Sequence, residues 1–274
     1  MYTPTIIHDV LELYMLEKLS EKNFDIQYES HAAAIMEQDF PAALKDIEDV
    51  LLDVKIPIGE IIASGGGEAK GTQRLRRALN QCGWKKFNFE IRKTINGVER
   101  ESISHEVDHV KAFEGNFKGN KLVALEIEWN NKDPFFDRDL ENFKRLHAEA
   151  AISVGVIVTR GLSLHHSMRD FVLRFAEHHK IATLEDVGRV GLSPTKRQQE
   201  QISRRVVREK KPLAFATAWA DKFVSDKFGE ATTHWRKLMD RVSRGVGNPC
   251  PLLLIGLPSS VVTFDDATVE PVTI

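Results

Sequence analysis

The chain has 274 residues, 42% of them hydrophobic and 28% charged, and its 38 Lys and Arg against 40 Asp and Glu leave a net charge of −2. That length can bury a sizeable core as one large domain or two small ones, and the near-neutral balance neither demands nor excludes a nucleic-acid partner, so local charge distribution decides. Two cysteines, Cys82 and Cys250, exclude a disulfide framework and point to a reducing cytoplasm, and the sequence has no run of 18 apolar residues to span a membrane.

The opening MYTPTIIHDVLELYMLEKL carries acids within its apolar pattern and lacks a basic start, so it is not read as a signal peptide; residues 5–22 have helical spacing. Residues 41–54 (PAALKDIEDVLLDV) repeat that spacing, with Pro41 at a helix start. A glycine-rich loop, Gly65-Gly66-Gly67, then feeds a basic helix ending near Trp84. Two strand-like segments, 86–95 and 98–113, flank Asn96-Gly97, a strong hairpin turn signal. After a turn at 114–121 comes 121-KLVALEIEW-129, the most convincing buried strand. Residues 137–153 read as a helix with Asp137 as N-cap, and 154-VGVIVTRG-161 as a β-branched strand. Strand, helix, strand over 121–161 predicts a βαβ-like unit in a mixed sheet. Residues 162–230 are helical in pattern, broken at Pro194 and Pro212, and strongly basic over 195–211. A helix over 232–245, closed by Gly245, leads into the apolar strand 250-CPLLLIGL-257 and a polar tail with no evident core. The expected fold is therefore α/β, one domain with a mixed central β-sheet flanked by helices and a helical insertion at about 162–230.

Glu126 and Glu128 interrupt the apolar strand two residues apart, so both carboxylates leave the same face. Like charges side by side need a proton or a cation between them. Asp108, in a strand-like stretch just before the turn, would bring a third carboxylate within reach of one point. Mg2+ takes hard oxygen ligands, and the Ile127 carbonyl would supply a further oxygen; such a site activates a water and neutralises phosphate charge. A solvated strand face carrying an exposed Glu-x-Glu explains the same spacing without any metal.

The order V-D-x-V-K, turn, L-V-A-L-E-I-E-W-N resembles the active-site block of type II restriction endonucleases of the BamHI/BglII/BstYI branch, within the PD-(D/E)xK nuclease superfamily. The distant segment 241-RVSRGVGNPCPLLLIGL-257 resembles the helix, turn and proline-led strand that close their core, and 79-LNQCGWKK-86 their strand entry. The resemblance implies that Asp108, Glu126 and Glu128 are the catalytic acids, with Asp108 and Glu126 on Mg2+. Glu128 stands where many members carry Lys, and it would hold a second metal or accept the water's proton. The spacer from 109 to 125 is long, which keeps Glu106 and Glu114 as rivals to Asp108; Glu68 is a further candidate acid. The resemblance also implies double-stranded DNA as partner, a homodimer packed through helices such as 138–151, and cutting at a short palindrome with a GATC core. Two rivals stand beside this: a superfamily nuclease acting in repair or on structured or modified DNA, and a non-catalytic DNA-binding protein.

Lys111 would contact a phosphate near the site, and Arg74, Arg76 and Arg77 DNA backbone. Lys196, Arg197, Arg204, Arg205, Arg208, Lys210 and Lys211 form a denser basic tract suited to a backbone-contacting arm. A solvated strand end accounts for Lys111 and a solvated helix face for the α-helical sets without DNA, though the density of the 195–211 tract favours the arm. The pairs His165-His166 and His178-His179 point to different helix faces and lack cysteine companions, which argues against zinc at those pairs. The glycine-rich loop lacks the P-loop register, so ATP binding is rejected.

Overall fold

A computed structural model describes residues 16–63, 68–114 and 121–264. The first residues of the expected 5–22 helix, the Gly65-Gly66-Gly67 loop, most of the 114–121 turn and the tail from 265 lie outside the described residues.

In chain order the elements are α1 (Glu17–Glu21), β1 (Asp25–Glu29), α2 (Ala32–Asp39), α3 (Pro41–Leu52), β2 (Ile56–Pro57), α4 (Ile58–Ile62), α5 (Lys70–Gln81), β3 (Lys85–Ile95) and β4 (Val98–Ala112). They continue with β5 (Leu122–Glu128), α6 (Pro134–Ala148), β6 (Val154–Arg160), α7 (Leu162–His178), α8 (Leu184–Arg189), α9 (Lys196–Val206), α10 (Phe215–Lys227), α11 (Trp235–Ser243), β7 (Leu252–Leu257) and β8 (Val262–Thr263). The main sheet has the order β1-β7-β6-β5-β4-β3. Its centre, β5-β6-β7, is parallel, while β1 and the β3–β4 hairpin pair antiparallel at its edges, so the sheet is mixed as expected.

The reasons are local. At Asn96 and Gly97 φ is +52° and +80°, the left-handed turn backbone that joins β3 to β4. Pro41 opens α3 at its first turn, where a missing N–H costs nothing. A capping box between Thr195 and Gln198 starts α9. β6 and β7 are buried at every position because helices cover both faces of a parallel sheet, so they read as unbroken apolar runs. On one face Val123, Leu125, Val156 and Ile255 pack with α2, α3, α5, α7 and α10. On the other, Ala124, Ile157 and Leu254 pack with Phe136, Leu140 and Phe143 of α6 and Leu238 of α11.

Several boundaries differ from the sequence reading. The N-cap of the site helix is Asp133, with Pro134 at its first turn; Asp137 sits inside that turn and pairs with Arg241 at 2.9 Å. Strand β1 and helix α2, between the first helices, carry no strong period and escape sequence reading. Just beyond β7, Val261 is buried and β8 pairs with β2, so the chain continues to pack past residue 257.

Gly155 in β6 seats α6 on the sheet. A Cβ there would lie 2.4 Å from Cδ2 of Phe143, a distance no packed carbon tolerates. Gly155→Ala should therefore push Phe143 and α6 away, destabilising by about 1–3 kcal/mol and lowering Tm by roughly 2–12 °C in a thermal melt.

Candidate active site

The cleft exists because two strands part. Cα pairing between β4 and β5 runs from Ala112↔Leu122 to His109↔Leu125 and ends there. Beyond that point the pairing does not continue to Asp108 and Glu126, and the Asp108 N–H donates instead to the Glu126 side chain at Oε1, 3.4 Å away. On its other edge β5 stays paired with β6 through Glu128↔Thr159. The open side forms a cleft of about 590 Å³ lined by Glu106, Asp108, Glu126, Ile127, Glu128 and Arg138, among others.

Glu126 and Glu128 share a face with Ala124, toward α6, while Val123, Leu125 and Ile127 face the opposite layer. They are not a solvated Glu-x-Glu: Glu126 is 7% and Glu128 3% exposed. The Asp108 side chain is half exposed and lies 3.3 Å from Lys86. Asn131 donates to Glu128 Oε2 at 2.8 Å, and the Arg138 guanidinium lies 3.5 Å from its other oxygen.

A fourth acid joins from α6. Asp139 is 1% exposed and paired with Arg138 at 2.7 Å, and its Oδ2 is buried with no hydrogen-bond partner. Burial, then the charges of Asp139 and Asp108, hold the Glu126 carboxyl well above the usual carboxylate range. Burial and the charge of Asp139 push Glu128 up to about 8, and burial also raises Asp139, as happens when neighbouring acids cannot all ionise. One guanidinium cannot neutralise so many acids, and the donors are hard oxygens, which suits a divalent cation such as Mg2+. The oxygens of Asp108, Glu126 and Glu128 line one cleft without gathering as a set within 4.8 Å of one another among the described residues.

The other candidates disperse. Lys111, an odd number of strand positions from Asp108, turns to the opposite face, where it pairs with Asp46 at 2.6 Å. Arg74 binds Glu60 through both terminal nitrogens at 2.6 and 2.8 Å, and Arg77 donates to Gln73. Glu68 pairs with Arg76 at 3.0 Å, away from the cleft. On α9, Arg204 and Arg205 pair with Glu200 and Asp221, and Arg208 donates to the Lys211 carbonyl. Lys196 and Arg197 are exposed at its start. Of the rivals to Asp108, Glu106 lines the cleft and pairs with Lys86 at 2.8 Å, whereas Glu114 is exposed and pairs with Lys121. Sequence reading missed Lys86, Asn131, Arg138 and Asp139. Asp139 did leave a signal: it sits on the apolar stripe Phe136, Leu140, Phe143 of an amphipathic helix, where an acid needs a reason.

A family model, restriction endonuclease BglII/BglIII, matches residues 24–257. The chain belongs to this family of restriction endonucleases. The match runs from just before β1 to the end of β7, so it takes in every element of the cleft and the α7–α10 helices. No curated protein matches the chain. As a type II restriction endonuclease the protein is a site-specific nuclease that acts on double-stranded DNA, and among the described residues no helix is long and apolar enough to cross a membrane.

Behind the cleft of the endonuclease, a buried arginine ties the floor together. Arg160, at the end of β6, donates to the carbonyls of Trp129 (2.7 Å) and Thr233 (2.6 Å) and to Thr232 Oγ1 (2.6 Å). Burial draws its guanidinium down to about 9. Arg160→Ala orphans two buried carbonyls beside β5, so it should cost about 3 kcal/mol or more and lower Tm by roughly 6–12 °C, read by calorimetry. An unchanged Tm would show that these carbonyls find other donors.

Proposed function

We propose that the protein hydrolyses phosphodiester bonds in double-stranded DNA at a short palindrome, with Mg2+ held at the Asp108–Glu126–Glu128 cleft, and that it acts as a two-fold homodimer. The observation that carries this reading is the burial of two glutamates, two residues apart, in an oxygen-lined cleft of a BglII-family chain, with buried Asp139 behind them. These acids accord with membership of the PD-(D/E)xK nucleases. Asp108, Glu126 and the Ile127 carbonyl would hold the cation, which when bound lowers the pKa of a water and offsets phosphate charge.

The chain's own groups do the rest. Glu128, whose carboxyl the buried acids hold high, would take a proton from the attacking water at a carboxylate oxygen once the bound cation has ionised it. Asn131 fixes its Oε2, and the charge of the neighbouring Asp139 keeps Glu128 basic. Lys86 and Arg138 flank the cleft as cations for phosphate oxygens. The exposed Lys196, Arg197, Arg204 and Arg208 of the α9 region, with Arg74 and Arg77 of α5, remain candidates for backbone contact once DNA competes for their present partners. A palindrome presents two equivalent scissile phosphates, and the outer face of α6, with Glu141, Arg145 and Ala148 exposed, is our candidate for the dimer contact. A GATC core and a cytoplasmic location complete the proposal.

The test is digestion of unmodified plasmid with Mg2+ and, in parallel, with Ca2+, followed by sequencing of the ends. Defined bands with Mg2+ and one palindromic sequence at the ends are expected. A smear, cleavage confined to modified or branched DNA, or binding without cutting would each overturn it.

A further inference from the structure

On the far side of the Arg160 floor, three side chains with no part in the cleft converge. His165 comes from the first turn of α7, Glu230 from the loop after α10, and His234 from the N-cap of α11. One ligand atom from each lies within 4.8 Å of the other two, and this is the one such group of metal-binding side chains among the described residues. His234 is the informative member. It is fully buried, yet neither ring nitrogen has a hydrogen-bond partner. A buried imidazole with two unmet nitrogens is costly unless something meets them. Ordinary packing accounts for His165, which has Arg160 at 3.4 Å on Nδ1 and Glu230 at 3.4 Å on Nε2, but not for His234.

We propose that His165, Glu230 and His234 form a binding site for one divalent first-row transition ion of the zinc type, separate from the catalytic cleft. Two imidazoles and a carboxylate suit that class, whereas Mg2+ prefers oxygen alone. Ligands about 2.0–2.2 Å from a tetrahedral ion stand about 3.4 Å apart. His165 Nε2 is 3.4 Å and His234 Nε2 3.8 Å from the two Glu230 oxygens, so only a small contraction is needed there. The two rings are stacked at 3.9 Å and 11°, so binding must tilt them for both lone pairs to meet one ion. Burial lowers both imidazoles, His234 to about 3, which keeps their lone pairs free of protons. Binding moves the His165 proton to Nδ1 and displaces the weak Arg160 contact, and Arg236 yields a Glu230 oxygen; Arg160 keeps its carbonyl partners.

The ion would fasten the loop that supports the cleft. The N–H of Thr233 donates to the Asn131 carbonyl at 2.8 Å, the N–H of Asp133 donates to the Ala231 carbonyl at 3.1 Å, and Asn131 in turn holds Glu128. The role is structural, a staple across residues far apart in sequence.

The test is metal analysis of the chelator-stripped full chain after Zn2+ loading and dialysis against excess Mg2+, with Co2+ absorption as a second readout. One Zn2+ per chain, a tetrahedral-type Co2+ spectrum and a higher Tm with Zn2+ are expected. Glu230→Gln, at an exposed position that spares the fold, and His234→Ala should each weaken Zn2+ binding at least about tenfold, while His166→Ala and Glu126→Gln leave it unchanged. No retained ion, or retention lost in Glu126→Gln but not in Glu230→Gln, would overturn the site.

Discussion

Glu126→Gln lowers the cleavage rate by about a thousandfold or more while DNA binding holds or tightens. The amide has the shape of the acid but lacks its charge, so the buried packing around β5 survives and only cation binding and charge stabilisation are lost. A bound divalent cation contributes several kcal/mol of transition-state stabilisation, and a thousandfold corresponds to about 4 kcal/mol. Removing a negative group from a phosphate-binding cleft also lessens repulsion, so affinity measured by gel shift in Ca2+ should not fall. Asp108→Asn should behave alike, more weakly, because its side chain is half exposed and Glu106 lines the same cleft. Single-turnover cleavage and binding by both variants are the measurements. If both cut DNA normally in Mg2+, the acids do not hold the catalytic cation.

The second large effect is on stability. In metal-free protein, Glu128 carries a folded-state pKa of about 8 against 4.5 for the ordinary carboxyl, and Glu126 shifts in the same direction. A carboxyl raised on folding stabilises the native state while it is protonated. That contribution is whole below about pH 4.5 and drains as pH rises, until Glu128 is ionised above about 8. The metal-free protein should therefore lose on the order of 3 kcal/mol between pH 5 and 9, the neighbouring Asp139 carboxyl absorbing part of the change. Mg2+ should restore much of the loss at high pH, because it binds the folded carboxylates alone. Glu128→Gln should flatten the metal-free profile. Melting curves in EDTA and in Mg2+ across this range decide the matter; a metal-free Tm that is flat or rises with pH would sink the account of the buried acids.

Much of the fold was legible because it rests on local chemistry. The Asn96-Gly97 turn, Pro41 at a helix start, and the apolar runs of β6 and β7 each state their backbone in a few residues. The shared face of Glu126 and Glu128 follows from the two-residue period of any strand. What was illegible involves partners. Lys111 looked available for phosphate, but Asp46, 65 residues away, takes it on the other face of the sheet. Asp139 looked like part of a dimer helix, but that turn of α6 points inward at Glu128. The neighbouring histidines His165 and His166 separate onto different surroundings, and His165 meets His234 instead.

The sequence by itself determined the mixed α/β plan, the hairpin, the parallel strand–helix–strand unit and the common face of the two glutamates, because backbone period and turn chemistry are properties of adjacent residues. Only the tertiary structure decided that those glutamates are buried, that Asp139 joins them, that the arginines of α5 and α9 are largely paired, and that two distant histidines meet a glutamate. Burial and pairing are made where crossovers bring remote segments together, and no local pattern records which segment will arrive.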